Sequence, residues 1–338
     1  MSITVKAPGK LYLAGEYSIL TPGQSALILP VPLYLTATIA PAKSRRLFSE
    51  QIGQVATGPE DTRYQLIYQA IALAETYLLQ MGWLKERCPF SLTISGQLGQ
   101  AGKKFGLGSS GCVVVVTLKA VLAFYGVTVS SDLLFKLASA TLLTLGDNGS
   151  MGDIACITTD QVTSYVSFDR QSVKQWLEEE AIAQVMTRDW GYEISPVAST
   201  FPATVLVGWT QKAASSQDLV DRVKGSQAPA FLQVMEKAVA RLKEALEAGQ
   251  KALAQSAIKQ AGQALKDLDP AIYTPALDAL VAQAQALDIA AKSSGAGGGD
   301  CGIALVFDTA QARALSQAWQ TVGIETIAEI NLGETYES

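Results

Sequence analysis

An α+β protein of two domains is predicted by three features of the sequence. Short alternating apolar runs such as Ile3–Ala7, Phe90–Ser95 and Ala203–Trp209 stand among long stretches of helical periodicity. A length of 338 residues allows two cores rather than one. The texture of the chain changes near Pro196–Pro202, which places the domains at 1–198 and 199–338.

Composition narrows the function classes. Hydrophobic residues make up 49% and charged residues 17%, as in a compact globular protein. No apolar run reaches the roughly 18–20 residues of a membrane span. Met1-Ser2-Ile3-Thr4-Val5 lacks a basic stretch followed by an apolar one, so a cytoplasmic protein is expected. A net charge of −5 argues against a nucleic-acid partner. The absence of histidine excludes His-dependent triads and His general bases. Cys88, Cys112, Cys156 and Cys301 are widely spaced, so four buried reduced thiols are expected and a zinc site is not.

Ile3–Ala7 alternates as a strand, Pro8-Gly9-Lys10 reads as a turn, and Leu11–Tyr17 as a second strand. Leu27–Ile39, interrupted by Pro30 and Pro32, reads as two more, and Pro41–Glu60 as a polar loop. Leu66, Ile67, Ala70, Leu73, Ala74, Tyr77 and Leu78 recur at helical spacing and predict an amphipathic helix over Tyr64–Met81. Phe90–Ser95 follows as a strand.

Lys103-Lys104-Phe105-Gly106-Leu107-Gly108-Ser109-Ser110-Gly111 then precedes a small-residue apolar run, Val113–Ala123. Glycines before a helix start let an anion approach free backbone N–H groups and the positive end of the helix dipole. The stretch therefore reads as a phosphate cradle for a nucleotide, with Ser109 and Ser110 as cap candidates. A dinucleotide-binding site would need a strand entering the glycines and an acid ending a later strand. A polar loop separates Phe90–Ser95 from Gly106, and Val127-Thr128-Val129 leads into another helix, Ser130–Leu143. No Gly-Lys-Ser/Thr of the P-loop type occurs.

Asp147 and Asp153 lie in a glycine-rich turn, where acids serve as turn formers or as metal or catalytic groups. Ile154–Thr158 and Val162–Phe168 read as strands, and Ser172–Thr187 as a charged surface helix. In the second half, Ala203–Trp209 is a buried strand, and Ser215 and Ser216 start a helix, where they cap it or meet an acceptor's phosphate or carboxylate. Alanine-rich helices follow near 229–248, 251–266 and 271–287. Lys292 to Gly302 is dense in glycine and abuts the strand Ile303–Phe307, which suggests backbone passing close to something. Helix Ala310–Val322 and strand Ile324–Ile330 complete a small antiparallel sheet with helices on one face.

Three segments now stand in order: Ala7-Pro8-Gly9-Lys10-Leu11 with Gly15-Glu16-Tyr17, Gly106-Leu107-Gly108-Ser109-Ser110, and Ser293-Ser294-Gly295-Ala296-Gly297-Gly298-Gly299-Asp300. Together they resemble the three signature motifs of the superfamily of galactokinase, homoserine kinase, mevalonate kinase and phosphomevalonate kinase, the GHMP kinases. Their details, with Gly146-Asp147-Asn148-Gly149-Ser150-Met151-Gly152-Asp153, are most similar to the bacterial phosphomevalonate kinases.

The resemblance implies an N-terminal ribosomal-protein-S5-domain-2-like domain, a C-terminal ferredoxin-like domain and an active site between them. It implies ATP with Mg²⁺ as phosphoryl donor and (R)-5-phosphomevalonate as acceptor, in the mevalonate route to isoprenoids. Mevalonate kinase, diphosphomevalonate decarboxylase and a non-catalytic ligand sensor share the scaffold and remain alternatives. By matching position, Gly106, Leu107, Gly108, Ser109, Ser110 and Gly111, with Lys104, would hold the ATP phosphates, and Ser110 would reach Mg²⁺. Lys10 and Asp153 match the catalytic lysine and aspartate. Glu16, Tyr17, Gly149, Ser150, Gly295, Ala296 and Gly297 would face the acceptor. Some relatives carry a magnesium-binding glutamate eleven residues before the aspartate; Leu142 holds that place here, with Asp147 as a stand-in.

Bringing two anions together calls for ammonium groups. Lys10, Lys103 or Lys104, and Lys292 are the candidates to offset the repulsion. Monomer and homodimer are both open.

Overall fold

The structure, a computed structural model, describes residues 1–96, 98–100, 103–212, 219, 222–223 and 228–333. Its first sheet is built on two long antiparallel strands, β1 (Ile3–Ala14) and β2 (Ser25–Pro41). Each is continuous where the sequence predicted two. Pro8-Gly9 is a bulge within β1 rather than a turn, with the register shifting between the two residues. Pro30 and Pro32 survive inside β2 because the strand's other edge is open there. One neighbour pairs only with Ser25–Ile28 and another only with Thr36–Pro41, so neither proline interrupts a second ladder.

Those neighbours are β7 (Thr163–Val166) and β4 (Phe90–Ser95); the sheet ends in β3 (Arg46–Ser49) beyond β4 and β8 (Glu193–Pro196) beyond β7. β3 lies in the stretch read as loop. Two short strands, β5 (Gly99–Gln100) and β6 (Lys103–Lys104), form a ribbon ahead of the glycines.

Helices α1 (Gln65–Gln80), α2 (Ser109–Phe124), α3 (Ser131–Thr144) and α4 (Gly152–Thr159) cover this sheet. Ser130 caps α3, its hydroxyl accepting from the Leu133 N–H at 3.2 Å. α4 replaces the strand expected over Ile154–Thr158. Within it Ile154, Ala155, Cys156, Ile157 and Thr158 are all buried, so the run carries no period to tell helix from strand. The predicted helix at Ser172–Thr187 is two, α5 (Arg170–Glu179) and α6 (Ile182–Thr187).

The second sheet is antiparallel, with β9 (Thr204–Trp209), β10 (Ala290–Ser294), β11 (Cys301–Val306) and β12 (Glu325–Asn331) in the spatial order β10-β11-β9-β12. This is the ferredoxin-like arrangement, with the first and third strands side by side. Its helices are α7 (Pro229–Ala248), α8 (Lys251–Leu268), α9 (Pro275–Ala286) and α10 (Thr309–Thr321). β10, which the sequence did not announce, runs from Ala290 into the start of the glycine-dense stretch.

Both faces of the second sheet are covered, not one. Leu206, Ala304 and Val306 pack under Leu280 and Trp319, while Val205, Val207, Trp209, Ile303 and Leu305 join the large core shared with the first sheet. Glu236 on α7 accepts from the N–H and hydroxyl of Ser25 at 3.0 and 2.8 Å, tying the halves together. Cys112, Cys156 and Cys301 are buried as expected, but Cys88 is exposed. Among the described residues no helix is long and apolar enough to cross a membrane.

Candidate active site

A cleft of about 510 Å³ opens where the three glycine-bearing segments meet. Strand β1 supplies its first wall. Side chains two apart on a strand share a face, and Lys10 and Tyr12 both turn into the cleft, the Lys10 ammonium 5.0 Å from the Tyr12 ring centre. Beyond β1, Gly15 (φ +103°) turns the chain against Ala26, where a Cβ would sit 2.5 Å away. The turn delivers Glu16 and Tyr17 to the cleft.

The second wall is the start of α2. Gly108, with φ +78°, is its N-cap, and no side chain caps the helix. Ser109 and Ser110 are therefore the first helical residues rather than caps. The first N–H groups of the helix are left for an anion, at the positive end of a 16-residue dipole. A Cβ on Gly108 would lie 2.8 Å from Lys10 Cε, so the glycine is what lets the lysine lie along the helix start. Lys104, Gly106, Ser109 and Ser110 line the cleft, whereas Leu107 and Gly111 are buried behind it. Leu107 fixes Lys10 from there, its carbonyl accepting from the Lys10 N–H at 3.0 Å.

The turn before α4 forms the third wall. Asp147 Oδ1 accepts from the Gly149 N–H at 2.6 Å, and Ser150 Oγ accepts from the Gly152 N–H at 3.2 Å. Ser150 also lies 3.3 Å from the Tyr12 hydroxyl, and its carbonyl accepts from the Tyr165 hydroxyl at 2.8 Å. Asp153 stands in the first turn of α4, with Oδ2 3.0 Å from where a Cβ on Gly111 would be. Burial raises the Asp153 carboxyl above the ordinary aspartate value, the Lys10 charge opposes the rise, and Asp147 adds to it. Burial, with the Asp153 charge, holds the Tyr12 phenol far above its usual value, so it stays a neutral donor.

The third segment closes the cleft. Ser294 Oγ accepts from the Tyr12 N–H at 3.0 Å and donates to its carbonyl at 2.8 Å. The Tyr17 hydroxyl donates to the Ala296 carbonyl at 2.5 Å. Gly295, Ala296 and Asp300 line the cleft, while Gly297 is turned into Ile272, where a Cβ would meet the carbonyl oxygen at 2.6 Å.

Of the expected site residues, Lys10, Glu16, Tyr17, Lys104, Gly106, Gly108, Ser109, Ser110, Gly149, Ser150, Asp153, Gly295 and Ala296 converge on this cleft. Lys292 does not reach it. Fully enclosed, Lys292 pairs with Glu16 and donates to the Ser293 carbonyl at 2.7 Å. Lys103 is exposed, its ammonium donating to the Gln211 carbonyl at 3.1 Å. Ser215 and Ser216 lie outside the described residues. Tyr12, Ile19, Leu20 and Met151 line the cleft without having been singled out; only Tyr12, two residues from Lys10 on a strand, carried a signal.

Among the described residues no cluster of three or more acids, cysteines or histidines could cage a metal. Hard oxygen donors beside the start of α2 include the exposed Ser110 hydroxyl and the Asp153 carboxylate. Such a sparse set suits Mg²⁺, which keeps water and phosphate oxygens in its shell. Leu142 is an apolar part of the wall and offers a metal no ligand.

Comparison with known proteins gives the family. The family described as GHMP kinases N terminal domain matches residues 65–161, and that described as GHMP kinases C terminal matches 233–325. A phosphomevalonate kinase of Streptomyces sp. (strain CL190) is 32% identical, the match covering 96% of this chain and 95% of the relative. The phosphomevalonate kinase of Streptococcus pneumoniae, solved with phosphomevalonate and AMPPNP, superposes with a TM-score of 0.94 at 46% identity, covering 97% and 99% of the two chains. A second structure of that enzyme gives 0.91 at 47% identity, over 98% and 99%.

Proposed function

The chain belongs to the GHMP kinases, and we propose that it transfers the terminal phosphoryl group of ATP to (R)-5-phosphomevalonate, giving (R)-5-diphosphomevalonate and ADP in the mevalonate route to isoprenoids. The observation that carries this reading is the convergence of Lys10, the bare start of α2, Asp153 and the Gly295–Ala296 segment on one cleft. The free cysteines fit a reducing compartment, and we place the reaction in the cytoplasm. We keep the division of the chain at residue 198, between β8 and β9.

The chemistry asks for little covalent help from the protein. A phosphate monoester has a second pKa of about 6 and is already ionised at neutral pH, so no proton need be removed from the attacking oxygen. The difficulty is repulsion, since two unit charges 4 Å apart at an effective dielectric of 20 interact by about 4 kcal/mol. Lys10 at the helix start and Lys104 at the rim offset that cost, and the first N–H groups of α2 hold the donor's phosphates in line. Asp153, close to Gly111 in the first turn of α2, orients Lys10 rather than acting as a base. Ser110 and Asp153 would hold Mg²⁺ with ATP, where the ion would supply neutralisation of phosphate charge.

An ADP-release assay with mevalonate, (R)-5-phosphomevalonate and (R)-5-diphosphomevalonate offered separately tests the reading. Turnover with the monophosphate alone is expected; preference for either other acceptor overturns it.

A further inference from the structure

Among the described residues the Lys10 ammonium makes neither a hydrogen bond nor an ion pair; what it faces is the ring of Tyr12, 5.0 Å from the centre. Asp153 acts on it through charge without pairing with it. Two other lysines show the contrast, since Lys103 donates to the Gln211 carbonyl and Lys292 pairs with Glu16. A carboxylate in contact would fix Lys10 too, but it would offset the charge that has to meet the phosphates. An aromatic face attracts an ammonium through its quadrupole, carries no net charge and takes up none of the three N–H donors.

We propose that Tyr12 is a positioning residue: the face of its ring holds the Lys10 ammonium in the cleft while leaving its charge and its donors to the phosphates. The inference rests on the phosphoryl transfer proposed above and deepens it, because it names what aims the lysine.

The ring is itself pinned. Tyr12 pairs with Ile28 across β1 and β2, and Ser294 Oγ accepts from its N–H and donates to its carbonyl. Its hydroxyl lies 3.3 Å from Ser150 Oγ, and a Cβ on Gly152 would come within 2.7 Å of that hydroxyl oxygen. The ring is therefore held from the third glycine segment at its backbone and from the turn before α4 at its tip. Its phenol stays neutral, so it brings no negative charge against Lys10. On the other flank a Cβ on Gly108 would lie 2.8 Å from Lys10 Cε and 3.3 Å from Cγ. Lys10 is thus bounded by the helix start along its stem and by the ring at its head. A ring that only filled space would serve equally well whatever the charge on its face.

The test changes that charge and keeps the shape. Tyr12→Phe and its mono-, di- and pentafluorinated counterparts, introduced at position 12 by nonsense suppression, are compared in the wild type and in Lys10→Met. Single turnovers with ATP and (R)-5-phosphomevalonate read the transfer step, and thermal melts check that each variant is folded. Tyr12→Phe should keep the rate within about 3-fold, and fluorination should then lower it stepwise by about 3–30-fold in all, the range of a cation–π contact. ATP affinity should stay within about 2-fold, because a general disturbance of the cleft would move it as well. In Lys10→Met the dependence on fluorine should vanish, as no ammonium is left for the ring to hold. A flat series in the wild type overturns the inference, as does a slope that survives in Lys10→Met. Tyr12→Phe as slow as the pentafluorinated variant also overturns it, since the hydroxyl and not the ring would then carry the effect. A wild type that turns over mevalonate or (R)-5-diphosphomevalonate instead overturns the functional reading alone, and the same series run with that acceptor decides this inference. A wild type that turns over none of the three overturns both.

Discussion

Gly106 and Asp300 touch across the cleft: a methyl group on Gly106 would lie 2.5 Å from Asp300 Oδ2 and 2.7 Å from its Cβ. The contact joins the second glycine segment to the third. Cys301, next along, donates its thiol to the Phe105 carbonyl at 3.1 Å, and Phe105 meets Trp209 edge to face at 4.8 Å. Gly106 also has φ +79°, which a side chain tolerates poorly. Gly106→Ala is therefore expected to destabilise the fold by about 1–3 kcal/mol and to raise KM for ATP more than KM for the acceptor. Urea denaturation and steady-state kinetics check both effects.

Lys10 carries the charge argument. Lys10→Met keeps the length of the side chain and removes the ammonium beside the α2 start. The fold should persist while kcat falls by about 10²–10³-fold, the size of effect seen when one preorganised charge-stabilising donor is lost. A loss confined to KM would contradict the assignment.

The two neighbouring lysines should separate. Lys104 lines the cleft, whereas Lys103 spends its ammonium on the Gln211 carbonyl. Lys104→Ala should raise KM for ATP by about 10-fold, a typical charge-assisted hydrogen bond, and Lys103→Ala by less than about 2-fold. Titrating ATP against each variant decides the matter.

Asp153 makes two predictions of known sign. As an orienting group, Asp153→Asn should cost about 10–100-fold in rate without removing an acid limb from the pH profile, once substrate ionisation is corrected for. Because burial raises its carboxyl in the folded protein, Asp153 stabilises below the unfolded value of about 3.9 and that contribution is lost as pH rises through the raised value. The asparagine variant should thus be the more stable protein at pH 7, with the gap closing on acidification. Thermal melts across that range give the answer.

Much of the architecture was legible because local signals and global fold agree. Phe90–Ser95 forms its strand as the sequence predicts, and the helix expected over Ser130–Leu143 forms as α3, Ser131–Thr144. What escaped were segments whose surroundings decide. Ile154–Thr158 is buried throughout and so fits helix or strand; its packing among α2, α3 and β1 is what decides for helix. The glycine segments announced a phosphate site through their backbone freedom. Lys292 was misplaced because its charge suggested phosphate, while its partner Glu16 was 276 residues away and invisible to any local pattern.

Phosphorus NMR of enzyme, ATP, Mg²⁺ and (R)-5-phosphomevalonate tests most directly whether this cleft joins two anions. The account predicts loss of the monoester resonance in step with the appearance of ADP and of a new coupled diphosphate pair. Release of orthophosphate with the monoester unchanged would contradict it.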